Sequence, residues 1–246
     1  MATYAVGDVH GCLAPLGDLL DQIAASAAAG DTVVFLGDYI DRGAESRQCI
    51  DAILAFRDRV EAEVVCLRGN HEDWLLRTMR DRSRHSWLSS MEGFDTIRSY
   101  SPEAEQAIRD ALAAAGLRFY LSRVALPYQP FFDAMPPSHR QFLETLPVRF
   151  ENADGLFVHG GVDAHAPLDR QPDETLMWGG DGFPEAYTGP PTVVYGHWND
   201  ARLDSSLWPH PNVGDHTIGV DTIAHGVLTA VRLPDRRVFQ SARYQL

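Results

Sequence analysis

Asp8 and His10 in "GDVHG", Asp38, Asp41 and Arg42 in "GDYIDRG", Asn70 and His71 in "RGNHE", His159 in "HGG" and His197 in "GHWN" are the residues whose types and spacing could do chemistry. Each segment directly follows a short apolar run: "TYAV", "TVVFL", "EVVCL", "LFV" and "TVVY". Carboxylate, imidazole and amide together form a mixed donor set. It suits a borderline divalent ion such as Mn, Fe or Zn better than an all-oxygen calcium cage does. Taken singly, each segment has a plainer explanation. Asp is common where a strand ends, "HGG" can be a turn, and Asn70 can cap a helix. Taken in order, all five close strand-like runs, and in α/β sheets ligands gather at the carboxyl ends of strands. Five such ends on one rim bring Asp8, His10, Asp38, Asn70, His159 and His197 together.

The elements that must position them can be read from periodicity. "TYAV" (3–6), "TVVFL" (32–36) and "EVVCL" (63–67) read as buried strands. Between them, "LAPLGDLLDQIAASAAAG" (13–30) reads as a helix closed by Gly30. The stretch 44–60 puts Cys49, Ile50, Ile53, Leu54 and Phe56 on one helical face. Strand–helix–strand–helix–strand predicts parallel strands. Residues 72–147 read as mainly helical, with Ser101 and Pro102 a cap and first turn, so we expect a helical insertion in a single domain spanning 1–246. Strands resume at "LFV" (156–158) and continue through "TVVY" (192–195), "HTIGV" (216–220), "GVLTAVRL" (226–233) and "RRVFQ" (236–240).

The 246 residues are ample for a sizeable core. A net charge of −13 with no basic block argues against nucleic acid or an anionic membrane as partner. All 21 basic residues are Arg. The three cysteines, Cys12, Cys49 and Cys66, contain no C-x-x-C pair, so neither a disulfide framework nor a cysteine zinc site is expected. The chain enters "TYAV" at once, and no apolar run approaches a membrane span, so a cytoplasmic protein is expected. Oligomeric state cannot be read from the sequence.

"GDVHG", "GDYIDRG" and "GNHE", in this order and about thirty residues apart, resemble the phosphoprotein-phosphatase branch of the calcineurin-like metallophosphoesterases. The "DRG" ending is similar to that branch in particular. Small bacterial and phage members, lambda-phosphatase-like enzymes and symmetrical diadenosine tetraphosphatases, look most similar. "FDTIRSY" (94–100), "LETLPVRFENADGLFVHGGV" (143–162) and "IGVDTIAHGVLTAVRLPD" (218–235) extend the resemblance over most of the chain. The resemblance implies a four-layer αββα sandwich with two mixed sheets face to face and the metals at one rim. It implies that Asp8 and His10 hold one ion and Asn70, His159 and His197 the other, with Asp38 bridging. Two ions roughly 3.5–4 Å apart can share a water, lower its pKa and clamp phosphoryl oxygens. His71 would then be the general acid, Asp41 its orienting partner, and Arg42, with Asn70 and His71, would meet the phosphate. Two divalent ions, Mn foremost with Fe or Zn as alternatives, are the expected cofactors. The expected reaction is hydrolysis of a phosphoester, first of phosphoserine or phosphothreonine in a protein. Dinucleoside polyphosphates and small phosphomono- or diesters are the alternatives, and a catalytically inactive scaffold is the reading from a different class.

One departure bears on substrate. In "TLMWGGDGF" (175–183), Gly180 stands where the bacterial relatives carry an Arg that clamps phosphate. Its absence is expected to leave room for a second ester substituent and to favour diesters, unless Arg170 or Arg202 fills the role. His85, His139, His165, His210 and His216 match no ligand position and are expected on the surface or in loops. His225 occupies a loop that lies by the metals in the family, which makes it a candidate to face the site. Trp198 and Trp208 are either a substrate-facing wall or packing, and Asp163 is expected to support the "HGG" turn.

Overall fold

Alternation along the strands decides the layering. Tyr4 and Val6 of β1 (Thr3–Val6) and Val33 and Phe35 of β2 (Thr32–Phe35) pack into one hydrophobic cluster, while Ala5 and Val34 between them pack into another. The same happens in β5 (Gly155–Val158) and β6 (Val193–Tyr195). There Phe157 and Val194 join the cluster of Ala5 and Val34, whereas Leu156, Val158, Val193 and Tyr195 face away. Period-two side-chain placement therefore gives each sheet two buried faces. The computed structural model that shows this describes residues 1–204 and 207–245.

The first sheet has β1, β2 and β3 (Glu63–Cys66) parallel and next to one another. β11 (Thr229–Leu233) and β12 (Arg237–Gln240) extend it antiparallel on the other side of β1. The second sheet runs β4 (Arg149–Asn152), β5, β6, β10 (Thr217–Gly219), β9 (Asn212–Val213). Its central pairs are parallel and its two edge pairs antiparallel. A two-stranded ribbon, β7 (Arg202–Leu203) with β8 (Pro209–His210), stands apart.

Helices α1 (Leu13–Ser26) and α2 (Ser46–Arg59) make the crossovers of the first sheet and cover its outer face. α1 buries Leu16, Leu19, Leu20 and Ile23, each contributing about 1.5–3 kcal/mol. Seven helices fill 70–145: α3 (Asn70–Arg80), α4 (Ser86–Ser90), α5 (Phe94–Tyr100), α6 (Pro102–Ala115), α7 (Arg118–Leu121), α8 (Gln129–Ala134) and α9 (Pro137–Thr145). Ser101 caps α6 through an Ala104 N–H bond of 3.1 Å, with Pro102 at the first position, as expected. α10 (Asp173–Trp178) lies on the outer face of the second sheet. Helix, sheet, sheet, helix is the expected four-layer α/β sandwich. Among the described residues, no helix is long and apolar enough to cross a membrane.

The expected ends shift most in two places. α1 stops at Ser26 rather than Gly30. Ala27 still packs against the core, but Ala28 and Ala29 do not, and the Asp31 carboxylate takes the Ala28 and Ala2 N–H groups into a turn instead. β11 begins at Thr229 rather than 226, because Ile223–His225 form a 3-10 turn that Gly226 closes in the left-handed region.

Candidate active site

The carboxyl ends of β1, β2, β3, β5 and β6 meet at one rim, and their side chains converge there. Asp38 Oδ2 stands 3.5 Å from His10 Nε2, 3.7 Å from His71 Nε2 and 3.3 Å from His159 Nε2. Asn70 Oδ1 is 2.8 Å from His159 Nε2 and 3.0 Å from His197 Nδ1. Asp8 accepts the His197 backbone N–H at 3.1 Å and places Oδ2 3.8 Å from His10 Nε2. All six are buried except His197, which is half-buried. Two overlapping donor groups result, His10–Asp38–His71 and Asp38–His159–His197, each with its donor atoms within 4.8 Å of one another.

These residues fit a pair of divalent ions. His10 Nδ1 bonds to the Ile40 carbonyl at 3.0 Å, so Nε2 turns a lone pair into the site. That Nε2 is buried and has no hydrogen-bond partner among the described residues. His159 Nδ1 bonds likewise to the Leu36 carbonyl at 3.1 Å. Its Nε2 then faces two acceptors, Asn70 Oδ1 and Asp38 Oδ2, an arrangement that a proton or a cation between them relieves. Burial pushes His10 and His197 down to about 3, which keeps both imidazoles neutral and able to ligate. Burial opposes charge on His159 too, but the Asp38 and Asp8 carboxylates outweigh it and push it up to about 9. The cluster is short of positive charge, which divalent ions would supply.

His71 and Asp41 form a separate pair beside this cluster. His71 Nδ1 is 2.8 Å from Asp41 Oδ2, leaving Nε2 toward the site. Burial disfavours the imidazolium, yet Asp38 and Asp41 prevail and raise its pKa. Asp41 is fully buried and also accepts Trp87 Nε1–H at 2.8 Å and the Thr96 hydroxyl at 2.5 Å. Arg42, by contrast, is exposed and has no carboxylate partner among the described residues. Its guanidinium is free for an anion.

Four residues at the site escaped the sequence reading. Trp87 in α4 and Thr96 in α5 carry no local sign that they reach Asp41 across 46 and 55 residues. Glu72 accepts the backbone N–H groups of Asp38, Tyr39 and Gly69 at 2.8–3.0 Å and so ties the second loop to the third. A Cβ at Gly69 would collide with the Asp38 carboxylate, which makes glycine obligatory at that crossing. Asp221 is buried, bonds Asn199 N–H at 2.7 Å, leaves Oδ1 without a partner among the described residues, and is pushed up to about 6 by burial. It follows "HTIGV" as the other acids follow their apolar runs, so β10 was a sixth strand end to inspect.

Gly180 does not leave the expected opening. A Cβ there would sit 2.6 Å from the Asp163 backbone and 2.9 Å from Thr175 Cγ2, so the position is filled by neighbouring chain. Room for a second ester substituent does not follow from it. Arg170 is exposed on a 3-10 turn, and Arg202 lines a groove with Asn212, Gly214 and His216. Neither touches the donor cluster in any described contact. His139 is not a surface residue but 1% exposed, bonded to Tyr100 and Asp51 at 2.8 Å each. His85 is half-buried against Tyr128 and Phe119. His165 and His210 are exposed and His216 is half-buried. His225 is half-buried in its 3-10 turn and makes no described contact with the cluster. Trp198 is 46% exposed, 4.9 Å ring to ring from His197, and Trp178 is 5.6 Å from the same imidazole. Trp208 packs elsewhere, bonded to Gln240 at 2.8 Å. Asp163 ties its own loop to Gln171 and His165 rather than the "HGG" turn.

Comparison with known proteins agrees with this geometry. Residues 1–226 match the model of the calcineurin-like phosphoesterases. A symmetrical bis(5'-nucleosyl)-tetraphosphatase of Pseudomonas fluorescens (strain Pf-5) is 36% identical over 111 residues, 44% of this chain and 35% of its own. One from Pseudomonas putida (strain F1) is 36% identical over 108 residues, 43% of this chain and 34% of its own. The aligned stretch thus spans about a third of the length of these curated relatives. Among solved structures, one provisionally described as a diadenosine tetraphosphatase superposes with a TM-score of 0.64 at 20% identity, covering 99% of this chain and 94% of its own. A cold-active protein-tyrosine phosphatase of a psychrophilic Shewanella gives 0.56 at 17% identity, covering 97% and 77%. At these identities both speak to the fold alone. Two face-to-face mixed sheets, five strand ends converging on one donor cluster and a family match over nine-tenths of the length have one reading: the chain belongs to the calcineurin-like phosphoesterase family.

Proposed function

We propose that this protein is a two-metal hydrolase of phosphoric esters and anhydrides, and that its substrate is a dinucleoside polyphosphate cut symmetrically. The observation that carries the chemistry is the convergence of three imidazoles, those of His10, His159 and His197, on the Asp38 carboxylate and the Asn70 amide oxygen. Support for the substrate comes from the relatives named symmetrical tetraphosphatases.

In this reading Asp8 and His10 would hold one ion, Asn70, His159 and His197 the other, and Asp38 would bridge them. Nitrogen donors favour Mn, with Fe or Zn as alternatives, over Mg. The bound ions would supply an activated water and neutralise charge on the phosphoryl oxygens. His71 presents Nε2 to the leaving oxygen and delivers the proton there. Asp41 accepts Nδ1–H, fixes the tautomer and stabilises the imidazolium before the transfer. Arg42 offers its planar fork to phosphate oxygens. Assembly of this whole set speaks against an inactive scaffold.

Hydrolysis of a phosphorylated serine or threonine is the second reading. An exposed, unpaired Arg42 at the rim would also suit a dianionic monoester on a macromolecule. Product analysis separates the two. With diadenosine tetraphosphate the expected products are two molecules of ADP. ATP with AMP would rule out the symmetrical cut, and a larger kcat/KM for a phosphoserine peptide would favour the second reading.

A further inference from the structure

A cavity of about 410 Å³ opens beside the donor cluster. His10 and Arg42 form the wall it shares with the site. Beyond them the lining is mostly apolar. Leu13, Ala14 and Pro15 come from the first turn of α1, Ile223 and Ala224 from the 3-10 turn before β11, and Tyr244 from the end of the described chain. The polar groups are few: Cys12, Glu45, Gln245, the Tyr244 hydroxyl and the Leu13 and Ala14 N–H groups of α1, a helix with no side-chain cap at its N-terminus.

The Tyr244 wall is built rather than loose. Tyr244 N–H donates to the Gly226 carbonyl at 2.8 Å, Ser241 N–H to the Leu228 carbonyl at 3.0 Å, and Ala242 N–H to Asp18 of α1 at 2.5 Å. The C-terminal segment is thereby pinned across the same 3-10 turn and helix that supply the apolar lining.

We infer that this cavity seats one nucleoside of the substrate. The inference rests on the dinucleoside polyphosphate reading above. A small-molecule site is typically concave, about 300–1,000 Å³, apolar in the main and provided with a few polar groups, and this cavity answers to each point. Its order along the wall matches the order of groups in such a substrate. The reacting phosphate lies at the donor cluster, the adjoining phosphate reaches Arg42, and the sugar and base extend past the shared wall. The Tyr244 ring offers the base a face to stack on. Glu45 accepts from an exocyclic amine or a ribose hydroxyl, and the Leu13 or Ala14 N–H donates to a ring nitrogen. A phosphoserine side chain carries nothing that would fill this space.

The test has two independent arms. In the first, the protein is photolabelled with 8-azidoadenosine diphosphate and the labelled peptide is mapped. A label within residues 11–15 or 241–245 is expected, and one elsewhere overturns the cavity assignment whatever the enzyme hydrolyses. In the second, kcat/KM for diadenosine tetraphosphate is divided by that for inorganic tetraphosphate, which has the same phosphates and no nucleoside. Ala224→Trp, which fills the cavity, and Tyr244→Ala, which removes the stacking face, should each lower this ratio about tenfold or more. Two variants guard against a folding defect in one. An unchanged ratio in both overturns the inference while leaving the hydrolase reading intact. Failure of the wild type to cut diadenosine tetraphosphate overturns the substrate reading, and the labelling arm then still decides the cavity.

Discussion

His10, Asp38, Asp41, Arg42 and His197 all hold positive φ, between 44° and 72°, a region that non-glycine residues enter rarely. Each such torsion costs on the order of 1–3 kcal/mol and persists only where the surroundings enforce it. Its concentration at the rim is what positions donors on turns too tight for ordinary backbone. These residues were legible in the sequence because Asp, His and Asn at strand ends are chemically distinctive. Glu72 and Trp87 were not, since one acts on backbone N–H groups and the other across 46 residues. Two predictions belong at this scale. His71→Asn should leave metal content unchanged and lower kcat by about 10²–10⁴ for an alkyl phosphate, the usual contribution of a general acid. The loss should be much smaller for an aryl phosphate with a good leaving group; equal losses would remove His71 from that role. Gly180→Ala should destabilise the fold by about 1–3 kcal/mol in urea unfolding, because the added methyl meets the Asp163 backbone. Unchanged stability would show that the contact yields.

At the scale of elements, the helical stretch between the third and fourth site segments reaches the Asp41–His71 pair. α4 and α5 deliver the two donors that, with His71, hold Asp41. Periodicity made the strands and long helices readable, but it could not show β4, α10 or the short β7–β9 strands. Those run two to six residues and form through tertiary pairing rather than a local pattern. Trp87→Phe keeps the ring in the core and removes one charge-assisted bond to Asp41. It should lower kcat about tenfold or more with little change in KM, given the roughly 1.5–3 kcal/mol such bonds contribute; a pure KM effect would argue against it. Within the same stretch, Glu105 of α6 takes paired bonds of 2.7 Å from Arg98 of α5 and another from Arg109. Hydrogen bonding to Arg98 holds its carboxyl below the ordinary 4.5. A depressed carboxylate pKa stabilises the fold above the unfolded value and loses that contribution as pH falls through the folded one. Glu105→Gln should therefore cost about 1 kcal/mol at pH 7, kept small because both arginines are near half exposed. The difference in urea midpoint should shrink below pH 4.5, and a constant gap would contradict the linkage.

For the whole molecule, two sheets packed through Ala5, Val34, Phe157 and Val194 hold five strand ends from distant parts of the chain on one rim. That architecture explains how a protein of net charge −13 tolerates Asp8, Asp38, Asp41, Glu72 and Asp221 buried near one another. Backbone N–H groups, imidazoles and, in this account, two divalent ions balance them. The most direct measurement is metal content against turnover. Protein stripped by exhaustive chelation and rebuilt with Mn²⁺ should bind two ions per chain, and hydrolysis of diadenosine tetraphosphate should rise from near zero in step with their binding. Asp38→Asn, which weakens the shared ligand, should lower both together. Full hydrolysis by the stripped protein, or full activity with a single ion bound, would contradict the dinuclear account.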